Sequence, residues 1–207
     1  MAAALLSGGI VNAAEAQRRR VATWTVNRVT DPITGATRCT VAALDRTGHM
    51  RSTRTGGIYP VVEMNSEFGL LVGVSSGGQI RLPTGDILWR VDDRPFRTLR
   101  PQDNPAAQPT ASTASGAAEL ARVYQVSAAY TATSTMASGE RAREMLEEML
   151  AGRTLIYRQA GSAGTFGLVD PGAAAVGQVT REGLVPYQLD GSFRDGLQAC
   201  GIAVGTN

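Results

Sequence analysis

Alternating apolar and polar residues dominate the first half of the chain and predict β-strands. The segment VATWTVNRV (21–29) puts Trp24 and Val26 on one side and Thr23 and Thr25 on the other. The turn-forming stretch DPITGATR (31–38) and the strand-like CTVAAL (39–44) follow, so these segments predict a hairpin. Two further apolar runs, IYPVVEM (58–64) and FGLLVGVSS (68–76), predict two more strands.

The stretch IRLPTGDILWRVDDRPFR (80–97) contains three acidic residues and predicts two tight turns on either side of the strand ILWRV (87–91). Asp86 falls in the first predicted turn, and Asp92 and Asp93 fall in the second. Turns favour aspartate because its carboxylate accepts backbone N–H groups. A catalytic pair is disfavoured, since a five-residue strand would separate the Cα atoms of Asp86 and Asp92 by about 20 Å. A calcium site in the second turn stays open as an alternative.

Two segments have helical periodicity. The helix of about 139–151 begins after Ser138, a good N-cap, and ends at Gly152, where we expect a left-handed C-terminal cap. One apolar stripe is expected to face the core, formed by Ala142, Met145, Leu146, Met149 and Leu150. A short helix of about 193–200 is expected to follow a capping Ser192.

Between the two halves of the chain lies a Pro/Ala/Ser-rich segment of about 101–116, which we interpret as a flexible surface loop. The part after it has too few strands to close a core of its own, so residues 17–207 form one predicted domain. Roughly seven to nine short strands without regular helical crossovers favour a mainly β fold, an antiparallel β-sandwich.

Composition and charge argue against nucleic-acid binding. The 20 basic residues are all arginine, and apart from Arg18, Arg19 and Arg20 they are scattered without interleaved aromatic residues. The net charge is only +2, so neither feature indicates nucleic-acid binding. Abundant arginine, alanine and glycine are together typical of a GC-rich genome. No motif for a cofactor is found, and we expect none.

The N-terminal residues 1–16 look like a signal peptide. A short apolar stretch, AAALLSGGIV (2–11), is followed by the small-x-small sequence AEA (14–16), and cleavage there would leave Gln17 at the new N-terminus. No basic residue precedes the apolar stretch, so an ordinary alanine-rich terminus is the alternative. No other segment is long and apolar enough for a membrane span. We therefore expect a periplasmic or secreted protein.

The two cysteines, Cys39 and Cys200, fit no zinc-binding spacing. An even number of cysteines in an exported chain favours pairing, so we predict a Cys39–Cys200 disulfide. Two free buried thiols are the alternative.

The chain lacks a convincing catalytic constellation. His49, its single histidine, lies in a polar loop, and the serines of VSSGG (74–78) do not form the G-x-S-x-G nucleophile elbow. A strand rather than a helix is predicted after SSGG, which also disfavours a phosphate-binding loop. We therefore expect a protein that is not an enzyme, with a hydrolase that uses Asp or Ser as the alternative.

Several segments together resemble the invasion-associated locus B family of exported alphaproteobacterial proteins. They are WTV (24–26), CTV (39–41), GLLVGVSSGGQIRLPTGDILWRVDDRPFR (69–97), the helix before GRTLIYR (152–158) and YQLDGSFRDGLQAC (187–200). The likeness covers most of residues 22–200, but that family often has a further cysteine where this chain has Asn27.

This resemblance implies an immunoglobulin-like β-sandwich in the periplasm, and it supplies no catalytic residues. The predicted function is binding of an unknown protein or envelope component through loops of the sandwich, without nucleic acid. The oligomeric state stays open.

Overall fold

Among the described residues, a five-stranded and a four-stranded antiparallel β-sheet enclose an apolar core together with the helices Gly139–Ala151 and Gly191–Ala199. The computed structural model describes residues 24–43, 58–77, 81–105, 127, 131–160, 178–180 and 183–203, with backbone alone for 178–180 and 183–185. The mainly β, antiparallel sandwich predicted from the sequence is confirmed. Its immunoglobulin-like character stays a prediction.

The strands of the described residues follow one another in the chain as β1 (Trp24–Thr30), β2 (Thr37–Ala43), β3 (Ile58–Asn65), β4 (Gly69–Ser76), β5 (Asp86–Val91), β6 (Arg97–Leu99), β7 (Ser134–Ser138), β8 (Thr154–Ala160), β9 (Gln178–Thr180), β10 (Gly183–Val185) and β11 (Tyr187–Gln188). One sheet has the order β1-β2-β3-β4-β7, and the second has the order β11-β8-β5-β6. Strands β9 and β10 pair with each other.

The two sheets contribute opposite faces to one core, as the alternation of their residues predicts. From the five-stranded sheet, Val41, Val62 and Val72 are fully buried. From the four-stranded sheet, Ile87 and Trp89 are fully buried, whereas Arg90 between Trp89 and Val91 is exposed. Each such side chain stabilises the fold by about 1.5–3 kcal/mol relative to leaving it in water.

Helix α1 (Gly139–Ala151) has the bounds predicted from its apolar stripe. Ala142, Met145, Leu146 and Met149 are buried, and Leu150 packs against the core. Its C-cap differs from the prediction, because Gly152 has φ −93° and ψ 175°, an extended conformation that other residues also adopt. Glycine is needed there for space, since a Cβ at position 152 would overlap the Val91 side chain.

Helix α2 (Gly191–Ala199) begins two residues earlier than predicted. Its N-cap is Asp190 rather than Ser192, and the Asp190 carboxylate accepts the backbone N–H of Ser192 at 2.9 Å. Phe193 of this helix packs against Trp24 with ring centroids 4.7 Å apart. The indole N–H of Trp24 donates to the Gln188 carbonyl oxygen at 2.7 Å. The end of the chain is thereby attached to its first described strand.

The predicted loop of about 101–116 begins with a short 3₁₀ helix, Pro101–Asp103, followed by the buried Asn104. Its residues from 106 onward and the signal-peptide-like residues 1–16 lie outside the described part of the chain.

Candidate functional site

The outer face of the five-stranded sheet carries an apolar cluster where a solvent-facing side would ordinarily be polar. In register across the strands, Val61 lies between Ala42 and Gly73, and Gly73 pairs with Met136. Ala42, Val61, Leu71 and Met136 expose 8, 2, 6 and 6% of their surface, and Tyr59 and Phe68 pack against them. All of these residues except Ala42 line a depression of about 330 Å³, which we call the outer-face groove.

Asn65 shapes one end of the outer-face groove. Its side-chain oxygen accepts the backbone N–H groups of Glu67 at 2.9 Å and Phe68 at 3.3 Å. Because these bonds fix the turn between β3 and β4, they hold the Phe68 ring against the floor. The side-chain amide of Asn65 also donates to Glu63 at 3.0 Å.

Glu63 is the acidic residue that lines the groove within the described residues. Its carboxylate accepts hydrogen bonds from Thr40 Oγ1 at 3.3 Å and from the Asn65 amide. These contacts hold its charge in the middle of the groove, two residues from Asn65 and four from Tyr59 along β3. Catalysis by a pair of carboxylates, or by a carboxylate and a histidine, requires a second such group nearby, and none lines the groove among the described residues.

Asn104 closes the β7 side of the groove. Its amide donates to the Ser134 carbonyl oxygen at 2.8 Å, and its side-chain oxygen accepts the Met136 N–H at 2.7 Å. Asn104 thus pairs with the edge of β7 as a neighbouring strand would, and it places Pro105 along the groove. Both polar ends of its side chain are satisfied, as its burial requires.

Two arginines mark the two ends of the groove. Arg38 pairs in register with Asn65 at one end. Arg81 belongs to the other end, because it lies in the chain between Gly77 and Thr84. Gly77 is close to the Tyr59 ring. The N–H of Thr84 donates to the carbonyl oxygen of Ala132, which precedes Thr133 of the groove wall. Both arginines are exposed, and neither has an ion pair with another described residue.

The three acidic residues singled out in the sequence do not come together. Asp86 is the first residue of β5, where it pairs with Ala160, rather than a turn residue. Asp92 and Asp93 follow the other end of β5, where Val91 pairs with Leu155. Asp93 is exposed. No group of three or more His, Cys, Asp or Glu side chains with metal-binding geometry occurs among the described residues.

Asp92 connects the β5–β6 turn to the start of β8. Its carboxylate accepts the N–H of Thr154 at 2.8 Å, the hydroxyl of Thr154 at 2.8 Å and the N–H of Arg153 at 3.1 Å. The expected backbone N–H donors are present, but they come from a segment 61 and 62 residues away rather than from the turn itself. Asp92 has φ 47°, a left-handed conformation that aspartate tolerates better than most residues.

The pKa of Asp92 reflects two opposing influences. Desolvation, the largest single influence, raises the pKa, whereas the hydrogen bonds from Thr154 and Arg153 and the charge of Arg94 lower it. The lowering influences prevail, and the pKa of Asp92 lies below its ordinary value of 3.8. Asp92 is therefore a charged structural acceptor with its carboxylate already in use.

The predicted cysteine pair lies at disulfide distance. The sulfurs of Cys39 in β2 and Cys200 at the end of α2 are 2.01 Å apart, and the Cα atoms are 5.5 Å apart. The contact joins residues separated by 161 positions.

The serines weighed as nucleophiles differ in their surroundings. Ser75 lines the groove, and Ser76 is buried in the core with no hydrogen-bond partner for its hydroxyl among the described residues. His49, the one base considered for them, lies outside the described part of the chain. The described residues therefore provide neither serine with a base.

The groove residues Tyr59, Phe68, Arg38 and Arg81 were not predicted as a site from the sequence. One signal was present, since YPVV (59–62) places apolar residues on both faces of a strand. A half-exposed sheet shows such a run where something covers its outer face.

Comparisons of the chain with protein-family models, with characterised proteins and with solved structures found no match. Among the described helices, none combines the length and apolar character that crossing a membrane requires.

Proposed function

We propose that this chain is an exported, non-enzymatic β-sandwich protein that binds a protein or envelope component in its outer-face groove. The observation that carries the proposal is the composition of the groove. An apolar and aromatic floor, ringed by hydrogen-bonding groups and two arginines, is typical of a recognition surface.

The walls of the groove support binding because they are already held in place. Asn65, Glu63 and Asn104 are each fixed by hydrogen bonds within the protein. A preformed surface loses less side-chain entropy when its partner binds, so more of the contact energy appears as affinity. The loops expected to bind a partner are partly outside the described residues, and the sheet face is the better-supported surface.

A hydrolase is the alternative that the geometry favours less. Asp86 and Asp92 lie at opposite ends of β5, and the Asp92 carboxylate already accepts three hydrogen bonds. Ser75 lines the groove, but nucleophilic catalysis requires a base within hydrogen-bond reach. Glu63 is the one carboxylate among the described groove residues, and it lies four residues along β3 from Tyr59, the partner of Ser75 in the sheet.

The export part of the proposal draws on the signal-peptide-like residues 1–16 and on the cysteine pair, because disulfides persist in oxidising compartments. The resemblance to the invasion-associated locus B family supports the same location. Osmotic-shock fractionation of the source bacterium, followed by N-terminal sequencing, tests it. We expect a periplasmic or secreted chain that begins at Gln17, and a chain recovered from the cytoplasm with residues 1–16 intact would contradict export.

Site-specific cross-linking tests the binding part. A photo-reactive phenylalanine replaces Asn27, an exposed residue at the β1 side of the groove, and the labelled protein is irradiated in an extract of its own cell envelope. We expect a defined adduct, and mass spectrometry identifies the partner in it. The partner is then purified separately and titrated against the unmodified protein by calorimetry.

Arg90 provides the matched control, since it is exposed on the outer side of β5, away from the groove. Asn27→Trp is expected to weaken binding of the purified partner by at least about tenfold, and Arg90→Trp is expected to leave it unchanged. Equal affinity of both variants, or an equal adduct when the photo-reactive residue replaces Arg90 instead of Asn27, would show that the groove is not the binding site.

A further inference from the structure

The distribution of charge along the outer-face groove identifies the kind of partner that fits it. This inference rests on the proposed function and deepens it. The charged residues among the described groove residues are Arg38 at one end, Arg81 at the other and Glu63 between them. The ends are therefore positive, and the middle is negative.

The length of the groove follows from β3. Tyr59 at one end and Asn65 at the other are six residues apart on the same strand. At about 3.3 Å per residue, the two ends are separated by about 20 Å. We take this length as the approximate spacing at which a ligand would place anionic groups near both arginines, which belong to the two ends.

Between the arginines the groove is apolar. The rings of Tyr59 and Phe68 are half-buried over the cluster of Ala42, Val61, Leu71 and Met136. Glu63 holds a negative charge in the same stretch, fixed by Thr40 and Asn65. An evenly charged polyanion would place negative groups against the rings and next to Glu63, which costs both desolvation and repulsion.

We propose that the groove binds an extended peptide segment of a partner protein, with two acidic side chains about six residues apart and apolar residues between them. An extended chain rises by about 3.3 Å per residue, so it reproduces the repeat of β3 below it. Its two carboxylates reach Arg38 and Arg81, and its apolar side chains meet Tyr59 and Phe68. Arginine suits carboxylates because its planar guanidinium group donates two parallel hydrogen bonds.

Fluorescence anisotropy with synthetic peptides tests the proposal on the full-length mature protein. The probe is a fluorescein-labelled nine-residue peptide with glutamates at its second and eighth positions and Val-Thr-Val between alanines. Two matched peptides carry glutamines at those positions, or have both glutamates moved to the second and fourth positions. We expect the widely spaced glutamate peptide to bind at least about tenfold more tightly than either.

Arginine variants connect the binding to the two ends of the groove. Arg38→Gln and Arg81→Gln are each expected to weaken binding of the widely spaced peptide by about threefold to tenfold, and Arg90→Gln is expected to have no effect. All three arginines are exposed, so these substitutions preserve the fold. An unchanged affinity in both groove variants would overturn the proposal.

An anionic polysaccharide is the competing occupant of the groove. Titration of the protein with an oligogalacturonate tests whether such a polysaccharide binds. Binding of the oligogalacturonate with no binding of the peptides would overturn the peptide assignment. Failure of the inference is also distinguishable from failure of the proposed function. If Asn27→Trp abolishes binding of the cross-linked partner while Arg38→Gln and Arg81→Gln do not weaken it, the groove is the binding site and its acidic-peptide specificity is wrong.

Discussion

Asp92 shows how a single side chain holds two distant segments together. We expect Asp92→Ala to lower the free energy of unfolding by about 1–3 kcal/mol, because it leaves the N–H groups of Arg153 and Thr154 without their acceptor. Urea unfolding at neutral pH measures this loss. The exposed neighbour provides the control, and Asp93→Ala should change stability by less than about 0.5 kcal/mol.

The lowered pKa of Asp92 gives its contribution a defined pH dependence. A carboxyl whose pKa is lower in the folded state adds stability that is complete above its unfolded pKa and is lost as pH falls through the folded value. The stability difference between the wild-type protein and Asp92→Asn should therefore be largest near neutral pH and should shrink below the ordinary value of 3.8. Unfolding curves recorded near neutral pH and below pH 3.8 measure this difference, and an equal difference under the two conditions would contradict the assigned role.

Gly152 is required by packing rather than by its backbone conformation. A Cβ there would overlap Val91 Cγ1, which belongs to a fully buried core residue. We expect Gly152→Ala to destabilise the protein by about 1–3 kcal/mol, as overpacked core positions do. Thermal unfolding measures this loss. At Gly191 a Cβ meets nothing within 4 Å, so Gly191→Ala should be nearly neutral in the same assay.

At the scale of whole elements, helix α1 is attached to strand β6 through charge as well as through its apolar stripe. Arg97 bonds Glu148 at 2.7 Å and Glu144 at 2.9 Å, and the Glu148 side chain is 20% exposed. We expect Glu148→Gln to cost about 0.5–1 kcal/mol at low salt and less at high salt, because ions screen a partly exposed pair. Urea unfolding at two salt concentrations measures this.

Glu147→Gln is the control for that pair, since Glu147 is exposed and belongs to the same helix. It should leave stability unchanged at either salt concentration. If both substitutions cost the same, the loss would reflect helix propensity or net charge rather than the contact with Arg97.

The elements that the sequence predicted correctly are those with a strong local pattern. The stripe from Ala142 to Leu150 repeats with helical period, and α1 follows it from Gly139 to Ala151. Strand β7 was missed, because STMAS (134–138) is short and mostly small or polar, and its place is set by pairing with β4. The sequence predicts Ser192 as the N-cap of α2, whereas the structure has Asp190. Both residues have capping chemistry and lie two positions apart, so the local sequence does not distinguish them.

On the scale of the whole molecule, the outer-face groove depends on information that no single segment contains. The apolar cluster at its floor joins Ala42 of β2, Val61 of β3, Leu71 of β4 and Met136 of β7. Which of these residues meet depends on strand register, and a shift by one residue would turn each side chain to the other face. The sequence therefore predicts the sheet but not the site on it.

The Cys39–Cys200 contact lets the covalent contribution to stability be measured. Closing a loop of 161 positions contributes on the order of 4–5 kcal/mol in the chain-entropy estimate, as an upper figure. We expect the double variant Cys39→Ser, Cys200→Ser to lose about 2–5 kcal/mol in guanidinium unfolding, with wild-type protein in reductant behaving alike. Thiol titration of unfolded, unreduced protein should detect no free thiol, and reactive thiols there would contradict the bridge.

The separation of these two cysteines also determines when the disulfide can form. Cys39 in β2 emerges early during synthesis, and Cys200 at the end of α2 emerges only after the intervening strands and α1. The disulfide can therefore form only in a chain that has been synthesised through residue 200, and shorter fragments cannot form it.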